Sequence, residues 1–158
     1  MLDGKDKKIL SLLQGDARIP SVEIARQVGM APSAIHERIK KLEQAGVISG
    51  YETRLDPKAL GLNLIAFIFV KTVGGVGEWS TGEQLAKMPE VQEVHSIAGE
   101  DCYLVKVRVR DPEALGQLLR ERLGKIKTIV NTNSVVVLST LKESGQLPLA
   151  LPKESRPA

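Results

Sequence analysis

Over residues 1–50 the apolar positions recur at the three- and four-residue spacing of amphipathic helices, and from residue 64 they change to strand-like patterns. The first helical stretch is predicted from Asp3 to Gln14. Asp3 caps it, Ile9, Leu10 and Leu13 form the inner stripe, and Gly15 stops it. In the second stretch Val22, Ile24, Ala25 and Val28 are apolar, Ser21 is placed to cap the start, and Gly29 is free to adopt the left-handed turn that ends a helix. The third begins at Pro32, whose missing N–H would be unpaired in a first turn anyway. Ile35, Ile39 and Leu42 follow the i, i+4, i+7 rule and face inward. At about 100° per residue Ser33, Glu37, Lys40 and Gln44 fall on the opposite side, flanked by His36 and Lys41. A helix held to its partner by one stripe, with a basic and polar face turned outward, is the helix-turn-helix arrangement that enters a major groove. The predicted partner is double-stranded DNA, contacted by Pro32, Ser33, Ala34, His36, Glu37, Arg38, Lys40 and Lys41.

Gly46 breaks the third helix, and residues 51–62 read as a linker with a short strand, a turn at Asp56-Pro57 and a closing Gly61. From Leu64, LIAFIFVKTV is rich in β-branched and aromatic residues and reads as a strand buried on both faces. After the GGVG connector at 74–77, Thr81 to Met88 is a short helix ended by Pro89. Val91 to Ala98 is a second strand and Cys102 to Arg110 a third, with Val105, Val107 and Val109 alternating against Lys106, Arg108 and Arg110. Asp111-Pro112-Glu113 opens another helix, with Leu115, Leu118, Leu119 and Leu123 as its inner stripe. Ile129 to Leu141 completes the set as a fourth strand. The order β-α-β-β-α-β over residues 63–142 is the ferredoxin-like plan, and the whole chain is of the α+β class. Residues 143–158, with three prolines, read as a tail that is draped or partly disordered. A sheet covered by helices on one side leaves Ile65, Phe67 and Phe69 uncovered, and pairing two such sheets in a homodimer buries them.

Composition adds little to this and excludes some alternatives. A chain of 158 residues with 42% hydrophobic content can build two small cores. The formal charge of +3 permits nucleic-acid binding without demanding it. Residues 1–50 hold 8 Lys and Arg against 6 Asp and Glu, so most of the surplus lies with the helix-turn-helix. One cysteine, Cys102, excludes an internal disulfide and suits a reducing cytoplasm. The longest apolar run, Leu64 to Val70, is well short of the ~20 residues that span a bilayer, so a membrane location is not expected. Two histidines and one cysteine without ligand spacing predict no metal site and no cofactor. No paired carboxylates, Ser-His-Asp or Cys-His arrangement predicts an enzyme.

In order and spacing the segments LDGKDKKIL (2–10), GDARIPSVEIARQVGM (15–30), PSAIHERIKKLEQAGVISGYETRLDPKALG (32–61), PEVQEVHSIAGEDCYLVKVRV (89–109) and TNSVVVLSTLKES (132–144) resemble the Lrp/AsnC family of leucine-responsive, or feast/famine, transcriptional regulators. The resemblance implies a DNA-binding domain over 1–50 and a ligand-binding and assembly domain over 63–142. It also implies dimers, often assembled into octamers, that respond to an amino acid. The effector pocket it implies lies where the turn Gly99-Glu100-Asp101-Cys102 meets Thr132 and Ser134. Two positions depart from the family pattern. Ala31 stands where a capping serine is frequent, and Cys102 stands at the position of the turn's aspartate, with the acid one residue earlier at Asp101.

Individual residues also carry plainer readings. Lys40 and Lys41 clamp phosphates, or are solvated lysines on an ordinary helix. Arg38, toward the flank, fits a phosphate contact or an ion pair with Glu37 or Glu43 equally well. Glu37 either accepts from a cytosine N4 or holds Lys41 at i+4. Two rival functions stand beside the regulator. The sirohaem decarboxylases resemble this family in both domains, and His95 in the second strand is what keeps that reading open. The other rival is an architectural, nucleoid-type protein without an effector, suggested by Cys102.

Overall fold

The computed structural model describes residues 2–74, 77, 79–100 and 102–149. They form two compact units, one running to Arg54 and including the segment from Glu143, the other spanning Leu55–Lys142.

The first unit is built on α1 (Gly4–Gly15), α2 (Ser21–Val28) and α3 (Pro32–Gln44). The start of α1 is fixed by a reciprocal capping box. Asp6 donates its N–H to Asp3 Oδ1 at 2.7 Å and Asp3 donates its own to Asp6 Oδ2 at 3.0 Å. Ile9, Ile24 and Ile35, one from each helix, are fully buried against one another with Ala25 beside them. Each such isoleucine contributes about 1.5–3 kcal/mol by leaving water. Two expectations for α2 are corrected. Ser21 is the first residue of the helix, and its cap is Pro20, which offers no side-chain hydrogen bond. Val22 is 68% exposed rather than part of the inner stripe, because it stands two residues, about 200°, from Ile24. The turn after α2 is as predicted: Gly29 takes φ 70°, and the N–H groups of Gly29 and Met30 both donate to the Ala25 carbonyl.

No strand forms over residues 47–56. The short strand expected in the linker is absent, since no neighbouring strand within the described residues of this unit offers a ladder. Instead Tyr51 donates its hydroxyl hydrogen to Glu43 Oε1 at 2.9 Å. The turn at Asp56-Pro57 forms, closed by the Leu62 N–H on the Pro57 carbonyl. The tail over residues 143–149 is draped. Leu147 donates its N–H to Gln14 Oε1 at 2.7 Å, Gln14 Nε2 returns a bond to the Leu147 carbonyl at 3.2 Å, and Gln146 Nε2 donates to the Gln14 carbonyl at 2.8 Å.

The second unit runs β1 (Leu64–Thr72), α4 (Trp79–Ala86), β2 (Val91–Ser96), β3 (Tyr103–Val109), α5 (Pro112–Glu121), a 3-10 turn at Leu123–Lys125, and β4 (Ile129–Val136). Its sheet has the order β2-β3-β1-β4 with every neighbouring pair antiparallel, the ferredoxin-like topology. Ala66, Ile68 and Val70 of β1 and Val105, Val107 and Val109 of β3 are buried with Leu85 of α4 and with Leu115 and Leu118 of α5. Asp111 caps α5 by accepting from the Ala114 N–H at 2.8 Å, as its sequence predicts. Strand β1 is not fully buried on both faces: Phe67 and Phe69, on the side away from the helices, stay half-exposed. All four strands are shorter than predicted, and the helix expected at Thr81–Met88 keeps its length but lies two residues earlier, at Trp79–Ala86. Strand β4 ends at Val136, not Leu141, because β1 runs out of partners: Val137 makes a last bond to the Ile65 carbonyl, and Leu138 is 98% exposed. Part of the GGVG connector lies outside the described residues.

Candidate DNA interface and ligand-domain turn

The outward side of α3 is set by its inner one. With Ile35 and Leu42 buried and Ile39 packed on the same core, the helix has no rotational freedom, and Pro32, Ser33, His36, Glu37, Lys40 and Lys41 are exposed. Ala34 is half-buried on the flank. At the start of α3 the cap is Ala31, without a side-chain hydrogen bond. The end is a Schellman closure. Gly46, at φ 68°, donates to the Glu43 carbonyl while the Val47 N–H reaches back to Leu42. Among the described residues neither Lys40, Lys41 nor His36 makes an ion pair, so this face carries cationic groups unneutralised by the fold.

Arg38 is different. Its Nη1 lies 2.6 Å from Asp6 Oδ1 and 2.8 Å from Asp3 Oδ2, so it ties α3 to the capping box of α1. The partner acids are those of α1, not Glu37 or Glu43, and the guanidinium is drawn away from the outward face. The Asp3 carboxyl is held below its ordinary value first by the Asp6 N–H and then by Arg38. Asp6 was invisible as a partner in the sequence because it lies 32 residues from Arg38.

In the second unit the turn after β2 is closed by the Ile97 N–H on the Cys102 carbonyl, and Cys102 donates its own N–H to Val70 at 2.9 Å. Val70 is in turn the register partner of Thr132, and Ile68 of Ser134. Tyr103, Val70 and Thr132 therefore lie in one row across three strands, about 10 Å from end to end at the usual strand spacing, with Cys102 in the turn just before β3. Gly99 and Glu100 are exposed at the turn, Thr132 and Ser134 are half-buried, and Cys102 is only 4% exposed. The thiol belongs to the core and is not turned outward like a ligand-binding acid. Asp101 lies outside the described residues. His95 sits on the uncovered sheet face with Nε2 3.2 Å from Glu93, opposite Leu104 and on the other side of the sheet from the buried valines. Among the described residues no three His, Cys, Asp or Glu side chains are grouped to hold a metal.

A helix-turn-helix with an unneutralised cationic face, joined to a ferredoxin-like domain, defines a DNA-binding protein with a separate sensory or assembly module. Residues 2–49 match the sequence profile of a winged helix-turn-helix DNA-binding domain, and residues 65–147 match that of the Lrp/AsnC ligand binding domain. The chain belongs to the Lrp/AsnC family of transcriptional regulators. It is 40% identical over 148 residues to the HTH-type transcriptional regulator FL11 of Pyrococcus horikoshii, covering 94% of this chain and 97% of that one. It is 36% identical over 150 residues to the leucine-responsive regulatory protein of Escherichia coli strain K12, covering 92% and 90%. Among solved structures it superposes with a TM-score of 0.90 on a Neisseria meningitidis transcriptional regulator in complex with L-methionine, at 31% identity and 95% and 98% coverage. A feast or famine regulatory protein from Mycobacterium tuberculosis, complexed with L-methionine, gives 0.84 at 30% identity, covering 96% and 100%. No helix among the described residues is long and apolar enough to cross a membrane.

Proposed function

We propose that this regulator reads double-stranded DNA through the exposed side of α3, with Lys40 and Lys41 on phosphates or base edges and Ser33, His36 and Glu37 beside them. The observation that carries this is the row of exposed cations on α3 that no acid among the described residues pairs with. Log affinity for a duplex should fall linearly with log salt, by about 0.9 per phosphate neutralised. Lys40→Ala and Lys41→Ala should each weaken binding, and a pure phosphate contact should lower the slope by about one. Duplex binding that is indifferent to salt would overturn the assignment.

The ligand domain, in this proposal, takes an amino acid where the turn 99–102 approaches Thr132 and Ser134. Two relatives of the same fold are complexed with L-methionine, and the bond from the Cys102 N–H to Val70, the register partner of Thr132, supports the location. A free amino acid needs an acceptor for its ammonium and donors for its carboxylate. The carboxylates and carbonyls of the turn serve as the first, and hydroxyls with backbone N–H groups as the second. The uncovered sheet face, in the same proposal, pairs with a second copy, and dimers assemble further toward octamers. Ligand binding between dimers then changes how many α3 helices engage DNA together, which alters avidity without touching the base contacts. If an amino acid raises the melting temperature, Asp101→Ala and Thr132→Ala should each remove most of that shift while DNA binding without ligand survives. Full retention in both variants would place the ligand elsewhere.

A further inference from the structure

A cleft of about 630 Å3 lies along α5, and none of the described residues of the 99–102 turn, nor Thr132 or Ser134, lines it. Its walls come from Ala114, Gln117 and Glu121 of α5, from the end of β3, from Glu90 and from Leu62 of the linker turn. The size falls within the range of small-molecule sites.

The charges in the cleft do not cancel. Arg122 Nη2 is 3.5 Å from Glu90 Oε2, and Glu121 accepts from the neutral amide of Gln117 at 3.2 Å, so the lining still carries an excess of cations, with Arg108, Arg110, Arg122 and Lys125 against Glu90 and Glu121. Arg108 lines the cleft too, but its Nε is given to Gln92 at 3.3 Å. Arg110 and Lys125 are left, and among the described residues neither makes an ion pair. The excess of cations on one concave surface gives it a positive potential that an anion relieves. Beside them Leu62, Val109 and Leu118 give the cleft an apolar side. An inorganic anion has no use for that side, whereas a carboxylate carried on an aliphatic body uses both.

The geometry points to a binding site in this cleft for a small aliphatic carboxylate, its anion held by Arg110 and Lys125 and its body laid against Leu62 and the floor formed by Val109 and Leu118. This site stands independently of the one at the turn. An amino acid and the corresponding 2-oxo acid share this chemistry; an ammonium group, where present, meets Glu90 or Glu121.

Calorimetric titration of the full-length protein with 4-methyl-2-oxopentanoate, L-leucine and inorganic phosphate tests the assignment. The oxo acid should bind, and Arg110→Gln with Lys125→Gln should weaken it at least tenfold, since each charge-assisted hydrogen bond is worth about that much. Both side chains are exposed, so far-UV circular dichroism and DNA affinity should be unchanged in the variant. Lys125→Glu, which reverses the charge, should weaken binding more than Lys125→Gln. L-Leucine binding more tightly than the oxo acid, with the same loss in the double variant, would support the site and place its ammonium on an acid. Phosphate binding as tightly as the oxo acid would overturn the aliphatic-carboxylate claim. So would the absence of binding by either carboxylate at millimolar concentration. Binding that survives the double variant and is lost in Thr132→Ala would put the ligand at the turn and overturn the cleft, leaving the turn proposal intact.

Discussion

Arg38 shows how one side chain changes meaning once its neighbours are known. From the sequence it belongs equally to a phosphate and to an acid on its own helix, because both are within reach of a long side chain on the flank of α3. In the fold it bridges Asp3 and Asp6, the two acids that also cap α1. Arg38→Ala should therefore lower stability by about 1 kcal/mol, read from the urea midpoint. The salt slope of DNA binding should stay as it is, in contrast to Lys40→Ala; a slope reduced by one would return Arg38 to the phosphates. Glu23 offers a pH test on α2. Hydrogen bonds from Arg26, then from Gln27, pull its carboxyl from 4.5 to about 2. Because the folded value is the lower one, the contribution is fully present above about pH 4.5 and is lost as pH falls toward 2. Glu23→Gln should flatten the acid side of the stability profile, measured by urea unfolding at pH 5 and pH 2.5. An identical profile in the variant would show that the Arg26 and Gln27 contacts do not persist in solution.

At the scale of elements, the tail is held by a side chain that imitates a strand. The Gln14 amide both accepts from and donates to residue 147, as a neighbouring backbone would, and Gln146 completes the contact on the last turn of α1. Exposed hydrogen bonds of this kind contribute roughly 0.5–1.5 kcal/mol each. Gln14→Ala is expected to speed hydrogen exchange over residues 143–149 markedly while leaving the exchange of Ile9 and Ile24, deep in the three-helix core, nearly unchanged. Unaltered exchange in the tail would mean that Gln14 does not hold it.

At the scale of the molecule, the second unit presents one covered and one uncovered sheet face. The uncovered face sets Phe67 between Lys106 and Val135, and Phe69 between Leu104 and Asn133. Lys106 is only 12% exposed there, its Nζ donated to Glu93 at 3.1 Å. An apolar row bordered by an ion pair suits a self-complementary contact better than it suits water. In the proposed pairing of this face with a second copy, Phe67→Asp would place a carboxylate in the contact at a cost of several kcal/mol. Loss of the dimer or aggregation on a sizing column is the expected result. An unchanged, well-folded dimer would assign the interface to another face.

The local grammar of this chain was enough to place its elements. Helical periodicity with Pro32, Gly29 and Gly46 delimited the recognition helix, the Asp111-Pro112 cap opened α5, and alternation from Val105 to Val109 oriented β3. Those signals are short-range, acting through caps, φ preferences and the period of burial, so a linear reading captures them. Where the reading failed, the deciding partner was distant in the chain or missing. β4 stopped where β1 had no further backbone to offer, whereas the outward turn of Val22, about 200° from Ile24, was already implicit in the helical period. The linker strand did not form because it had no neighbour. The site divides along the same line. The exposed row on α3 follows from the stripe opposite it and was legible as sequence. The pairing of Arg38 with α1, the burial of the Cys102 thiol and the convergence of Arg110 and Lys125 on one cleft depend on which segments meet in space. Only the tertiary structure decided those, because a charge is neutralised or left free by whatever the fold brings beside it.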